Sequence, residues 1–199
     1  MKKLAVTGNI GSGKTSCCRI LEIWGYPVYY ADQKAKWLME NNTKLQRELV
    51  RAFGPKAYSG QKLNRTYLAR RVFTDAEALR QLNSIVHPAV HKDMMDWMIE
   101  RQKEGYGTAI EEAALTFEAG HQSSFDYTIT VAAPASILID RVVKRDNSNK
   151  KDVQDRLDHQ MSQKEKCQQS DGIILNDGQH SLIFQLQNII TRWELSLRS

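Results

Sequence analysis

Residues 8–15 of the chain read Gly8-Asn9-Ile10-Gly11-Ser12-Gly13-Lys14-Thr15, directly behind the short apolar run Leu4-Ala5-Val6. This stretch fits G-x-x-x-x-G-K-[ST], the phosphate-binding P-loop. Its glycines allow a tight turn in which successive backbone N–H groups point inward at phosphate oxygens. The amphipathic run that follows, to about Trp24, predicts a helix whose positive dipole end adds to the same place.

The last two residues of the loop carry its specific chemistry. Lys14 supplies a mobile positive charge for the β- and γ-phosphates, and the Thr15 hydroxyl can ligate Mg²⁺. A chance glycine-rich turn is the alternative interpretation, but a strand before the loop and a helix after it are the context that a P-loop requires. The stretch therefore predicts a site for a nucleoside triphosphate with Mg²⁺.

Length and composition indicate one globular α/β domain. The 199 residues are 41% hydrophobic and 26% charged, enough to bury a core and ordinary for a soluble protein. No apolar run approaches the roughly 20 residues that span a bilayer, and the N-terminus leads into a strand rather than a signal-peptide core.

Three cysteines without C-x-x-C spacing suggest reduced, partly buried thiols, and we expect a cytoplasmic protein with no membrane partner. The net charge of +5 suits an anionic small substrate and nucleic acid alike.

Asp32 is the first candidate for catalysis. The segment from Gly25 to Tyr30 predicts a turn and a second short parallel strand, and Asp32 follows its end. Ligands of open α/β sheets bind beyond the carboxyl ends of the strands, where a carboxylate can accept a proton or hold Mg²⁺ through water. Asp32 could also cap the next helix, predicted from Gln33 to Met39. The two roles are compatible, and the P-loop at the same edge favours catalysis.

The region from Asn42 to Lys103 predicts helices and no strong strand. One helix begins near Thr43 and stops at Phe53, and Asn64 is a plausible N-cap for a helix from Arg65 to Phe73. We expect Asp75 to cap a run to Val86 and Pro88 to break it before a second run to Lys103. Four arginines make the region basic and could be solvated or form a pocket for an anionic acceptor: Arg65, Arg70, Arg71 and Arg80. His87 and His91 have the spacing of a metal pair, but no accompanying signature supports a zinc site.

The remaining chain predicts three strands, two helices and a charged segment. Strands are expected at residues 107–110 and 127–131, a helix from Pro134 to about Lys144, a buried strand at residues 172–176 and a closing helix from Leu182 to Leu195. The charged stretch from Arg141 to Lys166 can be an exposed helical hairpin. It can also be a mobile lid whose arginines close over a triphosphate, which we favour.

Beyond the P-loop, the chain resembles the dephospho-coenzyme A kinases almost from end to end. Tyr30-Ala31-Asp32 is similar to their D-A-D segment, and the lid pattern R-x-x-x-R, then R-x-x-x-Q, resembles Arg141, Arg145, Arg156 and Gln160. Further matches are Phe53-Gly54, Gly60 with Leu63 and Arg65, the run from Arg80 to Pro88, and Asn176-Asp177-Gly178.

The chain also departs from the family pattern at several positions. Tyr30 replaces the first aspartate of D-A-D, and Asn9 replaces a common glycine. The family's D-I-P-L-L-F-E appears as residues 112–118 without its proline, which weakens a catalytic role for Glu112 and leaves Glu118 as a candidate. Asp32 and the residues that define the P-loop motif are unchanged, so we expect the activity to survive.

The resemblance implies an α/β P-loop kinase core with a parallel sheet flanked by helices, a helical substrate-binding insertion and a helical lid. We expect a single domain over residues 1–199, with the core at 1–32, 104–140 and 168–199, the insertion at about 33–103 and the lid at about 141–167. The implied reaction transfers the γ-phosphoryl group of ATP, with Mg²⁺, to the ribose 3′-hydroxyl of dephospho-CoA. Rival interpretations are another small-molecule P-loop kinase, for a nucleoside monophosphate or a sugar acid, and a nucleic-acid-binding ATPase. The absence of an aromatic-interleaved basic stripe argues against the ATPase.

The resemblance also implies roles for individual residues. Asp32 would orient or deprotonate the 3′-hydroxyl, and Arg141 and Arg145 would neutralise developing charge as the lid closes. Residues expected to bind ATP and Mg²⁺ are those of the loop from Gly8 to Thr15, with the metal on Thr15, and Asn176 near the adenine. Residues expected at the acceptor are Asp32, Arg65, Arg80, His87 and Glu118. We expect a monomer or weak homo-oligomer with dephospho-CoA as its partner and no nucleic acid.

Overall fold

The computed structural model describes residues 1–60 and 62–196, without the side chains of residues 73, 74 and 194–196. The chain forms two compact units. One consists of residues 1–29 together with the described residues from 101 onward, and the other of residues 30–100.

Seven strands and nine α-helices are present in the described residues. The strands are β1 (Lys2–Thr7), β2 (Val28–Tyr30), β3 (Tyr58–Ser59), β4 (Lys62–Leu63), β5 (Thr108–Glu112), β6 (Tyr127–Ala132) and β7 (Gly172–Leu175). The helices are α1 (Lys14–Ile23), α2 (Ala31–Asn41), α3 (Thr43–Phe53), α4 (Arg65–Thr74), α5 (Ala76–Lys103), α6 (Ala135–Asp146), α7 (Lys150–Asp158), α8 (Gln163–Gln169) and α9 (Leu182–Ser196).

A five-stranded parallel sheet in the order β2-β5-β1-β6-β7 is the centre of the fold. The apolar residues Leu4, Ala5 and Val6 are completely buried because β1 is the middle strand, with β5 on one side and β6 on the other. The predicted parallel sheet flanked by helices is confirmed. Because the carboxyl ends of parallel strands meet at one edge, the loops after β1, β5, β6 and β7 emerge together.

The strand β7 corrects the prediction of a buried strand at residues 172–176. Gly172 and Ile174 are buried, but Ile173 is 50% exposed and Leu175 is 36% exposed. The reason is its position at the edge of the sheet, where alternate side chains face solvent. The run of apolar residues predicted the strand correctly and its burial wrongly.

The helix boundaries follow local capping chemistry. The side chains of Asn42 and Asn64 accept hydrogen bonds from Leu45 N and Tyr67 N, at 3.0 and 3.1 Å, and begin α3 and α4. Asp75 accepts from Glu77 N at 2.8 Å at the start of α5. The predicted caps at Asn64 and Asp75 are therefore confirmed, because such bonds satisfy backbone donors that a helix start leaves unpaired.

Pro88 does not break the helix as expected, because α5 runs without interruption from Ala76 to Lys103. Proline removes one backbone hydrogen bond and costs about 3 kcal/mol inside a helix. The buried side chains at Val86, Val90, Met94 and Met98 continue with a spacing of four residues across the proline. Burial of this apolar stripe outweighs the local cost.

In the part of the chain that the structure describes, no helix combines the length and apolar character that crossing a bilayer would need.

Cys17, Cys18 and Cys167 are all free. Burial raises the pKa of Cys17 to about 12, and the pKa of Cys18 is raised well above its ordinary value, first by burial and then by the charge of Glu112. These two thiols therefore stay protonated and unreactive at neutral pH.

Candidate active site

The P-loop follows β1 and has a backbone that requires glycine. Gly8 and Gly13 have φ angles of 141° and 93°, in a region that other residues rarely adopt. A Cβ atom on Gly8 would lie 2.3 Å from the Val131 carbonyl oxygen, and one on Gly13 would lie 2.0 Å from Asn176 Nδ2. The glycines thus permit both the turn and the close approach of neighbouring segments, and α1 begins immediately afterwards at Lys14.

Lys14 and Ser12 make the inside of the loop suitable for an anion. The Lys14 side chain is only 7% exposed, and its ammonium group donates to the Gly8 carbonyl at 3.0 Å. The Ser12 hydroxyl is buried and has no hydrogen-bond partner among the described residues. A buried ammonium group and a donor hydroxyl at the N-terminus of a helix fit the phosphate groups of a nucleotide.

Glu112 lies beside Thr15, a placement that the sequence reasoning did not find. Glu112 is the last residue of β5 and is 7% exposed, and its Oε2 is 3.5 Å from the Thr15 hydroxyl. A hydroxyl and a carboxylate together are the oxygen ligands that Mg²⁺ prefers, so the pair fits this ion. The order of the strands was the missing signal, because β5 pairs with β1 and its end must meet the P-loop.

The structure brings Arg141 and Asn176 together with the P-loop. The Asn176 amide donates to the Ser12 carbonyl at 2.7 Å, and its Oδ1 accepts from Arg141 Nη2 at 3.2 Å. The other terminal nitrogen of Arg141 is buried without a hydrogen-bond partner in the described residues. The α6 arginine and the asparagine after β7 are therefore fixed against the loop that the motif predicts to hold phosphates.

Arg145 is engaged elsewhere, one turn along the same helix. It pairs with Asp146 at 2.7 Å, and Arg156 of α7 pairs with the same carboxylate at 3.1 Å. The hydrogen bond from Arg145 is the largest cause that holds the pKa of Asp146 below its usual value. Arg141 and Arg145, which the family pattern groups together, thus have different environments.

The turn between α7 and α8 holds the first half of the P-loop. Ile10 N donates to Gln160 Oε1 at 2.9 Å, and the Asn9 amide donates to the Met161 carbonyl at 3.1 Å. Glu118, a predicted acceptor-binding residue, accepts from Met161 N at 2.8 Å and pairs with Lys166 at 2.9 Å. This carboxylate is therefore part of the frame around the loop.

Asp32 is the second residue of α2 and is exposed, two positions after the end of β2. Within the described part of the chain no side chain caps the start of α2, which begins at Ala31 rather than at Gln33. The alternative interpretation of Asp32 as the helix cap is therefore wrong, because the helix starts one residue before it.

The other predicted acceptor residues lie on the helices of the unit formed by residues 30–100. Arg65 pairs with Glu40 at 3.0 Å, and Arg80 pairs with Glu77 one turn earlier on α5. His87 is half-buried on the same helix. Among the described residues no group of three or more histidine, cysteine or acidic side chains has the arrangement of a metal site.

Comparison with known proteins agrees with this geometry. The sequence model of the dephospho-CoA kinase family matches residues 3–181. A dephospho-CoA kinase of Salinibacter ruber is 44% identical over 180 residues, which cover 89% of this chain and 90% of the relative. A dephospho-CoA kinase of Bacteroides fragilis is 35% identical over 188 residues, covering 94% and 91% of the two chains.

Solved structures show the same similarity. A crystal structure from Thermus thermophilus superposes with a TM-score of 0.83 at 33% identity, and covers 96% of each chain. A dephospho-CoA kinase from Campylobacter jejuni superposes with a TM-score of 0.68 at 25% identity, again over 96% of each chain. With a family match over residues 3–181 and relatives of this similarity, the chain belongs to the dephospho-CoA kinase family.

Proposed function

We propose that the protein phosphorylates the ribose 3′-hydroxyl of dephospho-CoA with ATP, giving coenzyme A and ADP in the last step of coenzyme A synthesis. The observation that carries the proposal is the family match over residues 3–181, which includes the P-loop, Asp32 and the Arg141–Asn176 pair. The enzyme is thus a phosphotransferase with an alcohol acceptor.

The nucleotide would be held by the P-loop, since a kinase uses ATP as its phosphoryl donor. The loop amides and the Lys14 ammonium group would bind the phosphates, and Asn176 would lie near the adenine. Thr15 and Glu112 would hold Mg²⁺, supported by the 3.5 Å between their oxygens. Bound there, the ion would supply positive charge that offsets the negative charge of the phosphate groups.

Asp32 would act on the acceptor. Its carboxylate would accept the proton of the 3′-hydroxyl or hold this hydroxyl in line with the phosphoryl group. Its position directly after a strand of the sheet supports the role, because ligands of such folds bind beyond the strand ends.

Arginines would supply the charge that phosphoryl transfer requires. Arg141 donates a hydrogen bond to Asn176. Arg145 pairs with Asp146 and would leave this carboxylate to bind a phosphate group when residues 141–167 close as a lid. The acceptor would be bound by Arg65, Arg80 and His87, which lie in the helical insertion at about residues 33–103. The core of this single kinase domain would consist of residues 1–32, 104–140 and 168–199. We expect a cytoplasmic monomer or weak homo-oligomer that binds no nucleic acid.

The direct test is coupled release of ADP from MgATP in parallel reactions with different acceptors. One reaction contains dephospho-CoA, the others nucleoside monophosphates, gluconate or no acceptor. A signal with dephospho-CoA alone, and a product heavier by one phosphate in mass spectrometry, is expected. Turnover with another acceptor would keep the kinase and change its substrate. Turnover without any acceptor, stimulated by DNA or RNA, would favour an ATPase instead.

A further inference from the structure

Lys166 is a completely buried cation that the chemistry described so far does not use. Its side chain has 0% exposure within α8. Burying an ammonium group is strongly unfavourable unless opposite charge and hydrogen bonds compensate. In the described part of the chain, the other buried lysine is Lys14 of the P-loop. A second buried lysine therefore needs a physical reason.

The ammonium group of Lys166 ties α8 to the segment that follows β5. It donates to the Ala114 carbonyl at 2.6 Å and lies 2.9 Å from Glu118 Oε1. Both partners belong to the chain that leaves the carboxyl end of β5, the same edge of the sheet at which the P-loop leaves β1. The positive charge of Lys166 is thus compensated by Glu118, at the edge of the sheet where the P-loop lies.

The contact continues from Glu118 to the P-loop. Glu118 Oε1 also accepts from Met161 N at 2.8 Å, so the carboxylate lies between Lys166 and the α7–α8 turn. Met161 in turn accepts from the Asn9 amide, and Gln160 accepts from Ile10 N. A continuous series of bonds therefore joins the buried ammonium group to the first half of the phosphate-binding loop.

We propose that Lys166 is a positioning residue for the ATP site, acting through Glu118 and the Gln160–Met161 turn. The inference rests on the proposed function, because the loop that it positions is the one that holds ATP. The ammonium group keeps the Glu118 carboxylate turned inward, where it accepts from Met161. Without this charge the carboxylate, whose side chain is 20% exposed, gains by turning to water and leaves Met161 N without its acceptor. Glu118 then serves the nucleotide site rather than the acceptor.

The test measures ATP binding directly, by calorimetry without any acceptor, in Lys166→Met. We expect the Kd for ATP and the KM for ATP to rise by about tenfold, as for loss of a charge-assisted hydrogen bond. The values of kcat and of KM for dephospho-CoA should change less than about twofold. Lys164→Met is the matched control, because Lys164 is an exposed lysine on the same helix. It should bind ATP like the wild type.

A rescue distinguishes positioning from general packing. In Lys166→Met with Glu118→Gln, the neutral amide oxygen accepts from Met161 N without needing a cation. We expect ATP affinity to return to within about threefold of the wild type. Unchanged affinity in Lys166→Met would overturn the proposal. So would a loss that Glu118→Gln does not relieve and that appears equally in the KM for dephospho-CoA.

Glu118→Ala covers the case in which Lys166→Met does not fold, which circular dichroism would show. This variant removes the carboxylate that accepts from Met161 N, and Glu118 is the more exposed partner of its ion pair with Lys166. ATP binding should weaken by a similar factor. A rise in the KM for dephospho-CoA alone would overturn the proposal and restore Glu118 to the acceptor site. ATP binding is measured without any acceptor. If the wild type binds ATP but does not phosphorylate dephospho-CoA, the proposed function is refuted and the proposal for Lys166 is not.

Discussion

The residues predicted for ATP and those predicted for the acceptor are held in different ways. Around the P-loop, bonds join segments far apart in sequence, such as Asn176 to Ser12 across 164 residues. In the unit formed by residues 30–100, Arg80 pairs with Glu77 three residues away, and Arg65 pairs with Glu40. The side chains of these two arginines are 69% and 59% exposed.

The difference indicates which part of the site is built before a ligand arrives. Buried hydrogen bonds to the loop fix its geometry, which lowers the entropy that binding must remove. Exposed ion pairs contribute about 0–1 kcal/mol, so an anionic substrate can replace the carboxylates of Glu40 and Glu77 at little cost. The end of the site predicted for the nucleotide is therefore preorganised, whereas the arginines predicted for the acceptor can change partners.

The largest effect on the preorganised loop is expected from Gly13→Ala. Its Cβ would lie 2.0 Å from Asn176 Nδ2, so the loop and the asparagine must separate. We expect kcat/KM for ATP to fall by about a thousandfold, because displaced loop donors no longer meet the phosphates. Steady-state kinetics with saturating dephospho-CoA measures the effect.

Gly105→Ala is the matched control, since Gly105 has the same φ of 93° and no atom within 4 Å of an added Cβ. Both variants carry the left-handed backbone cost of about 1–2 kcal/mol, but only Gly13→Ala crowds a neighbour. Equal kinetic losses in the two variants would show that strain, and not the approach of Asn176, explains the requirement for glycine.

The next largest effect is expected from Asp32→Asn. The change removes the proposed proton acceptor without altering size, so turnover should fall at least about a hundredfold while the Kd for ATP stays unchanged. Calorimetry and ADP release measure the two quantities separately. Full activity would remove Asp32 from the mechanism, and weaker ATP binding would assign it to the nucleotide end.

Local signals in the sequence predicted a large part of this fold. The P-loop, the helix after it and the caps at Asn64 and Asp75 depend on residues within a few positions of one another. The resemblance to a known family predicted roles for Arg141 and Asn176, and in the structure Asn176 donates to the Ser12 carbonyl and accepts from Arg141.

Features that depend on distant packing were missed or predicted wrongly. The uninterrupted α5 depends on an apolar stripe that packs across Pro88, and the exposure of Ile173 depends on which strand lies at the edge. The contact of Glu112 with Thr15 depends on strand order, and that of Lys166 with Glu118 on a partner 48 residues away. The family pattern at residues 112–118 includes Glu112 but does not indicate its neighbour, and Lys166 belongs to none of the motifs found in the sequence. Periodicity and spacing along the chain contain no information about such contacts.

A smaller effect is expected from Asn176→Asp, which tests whether the contacts of Asn176 hold the loop in place. The new carboxylate still accepts from Arg141, but an oxygen replaces the amide group that donates to the Ser12 carbonyl. Two acceptors then face each other at 2.7 Å, and the KM for ATP should rise about tenfold to a hundredfold. Asn176→Ala removes the donor without this repulsion and should be less damaging. The opposite order would show that the Arg141 contact matters more.

The smallest effect concerns the ion pairs of Asp146 with Arg145 and Arg156, within the segment proposed as a lid. The pKa of Asp146 is lowered from its ordinary value of 3.8, chiefly by its hydrogen bond from Arg145, so the carboxylate stabilises the folded state above that ordinary value. That contribution disappears as the pH falls through the lower pKa of the folded state. Asp146→Asn should therefore lower the free energy of unfolding by a few tenths of a kcal/mol at pH 7, as for exposed ion pairs. The gap should close as the pH falls through this lowered pKa.

Urea unfolding at several pH values measures this gap, with Asp155→Asn on the exposed face of α7 as the control. The variant also releases Arg145 and Arg156 from their shared carboxylate. If these arginines exchange Asp146 for phosphate on closure, ATP should bind the variant at least as tightly as the wild type, because no ion pair has to be broken first. Weaker binding would mean that Asp146 orients the arginines for the nucleotide, and the lid would then belong to the preorganised part of the molecule.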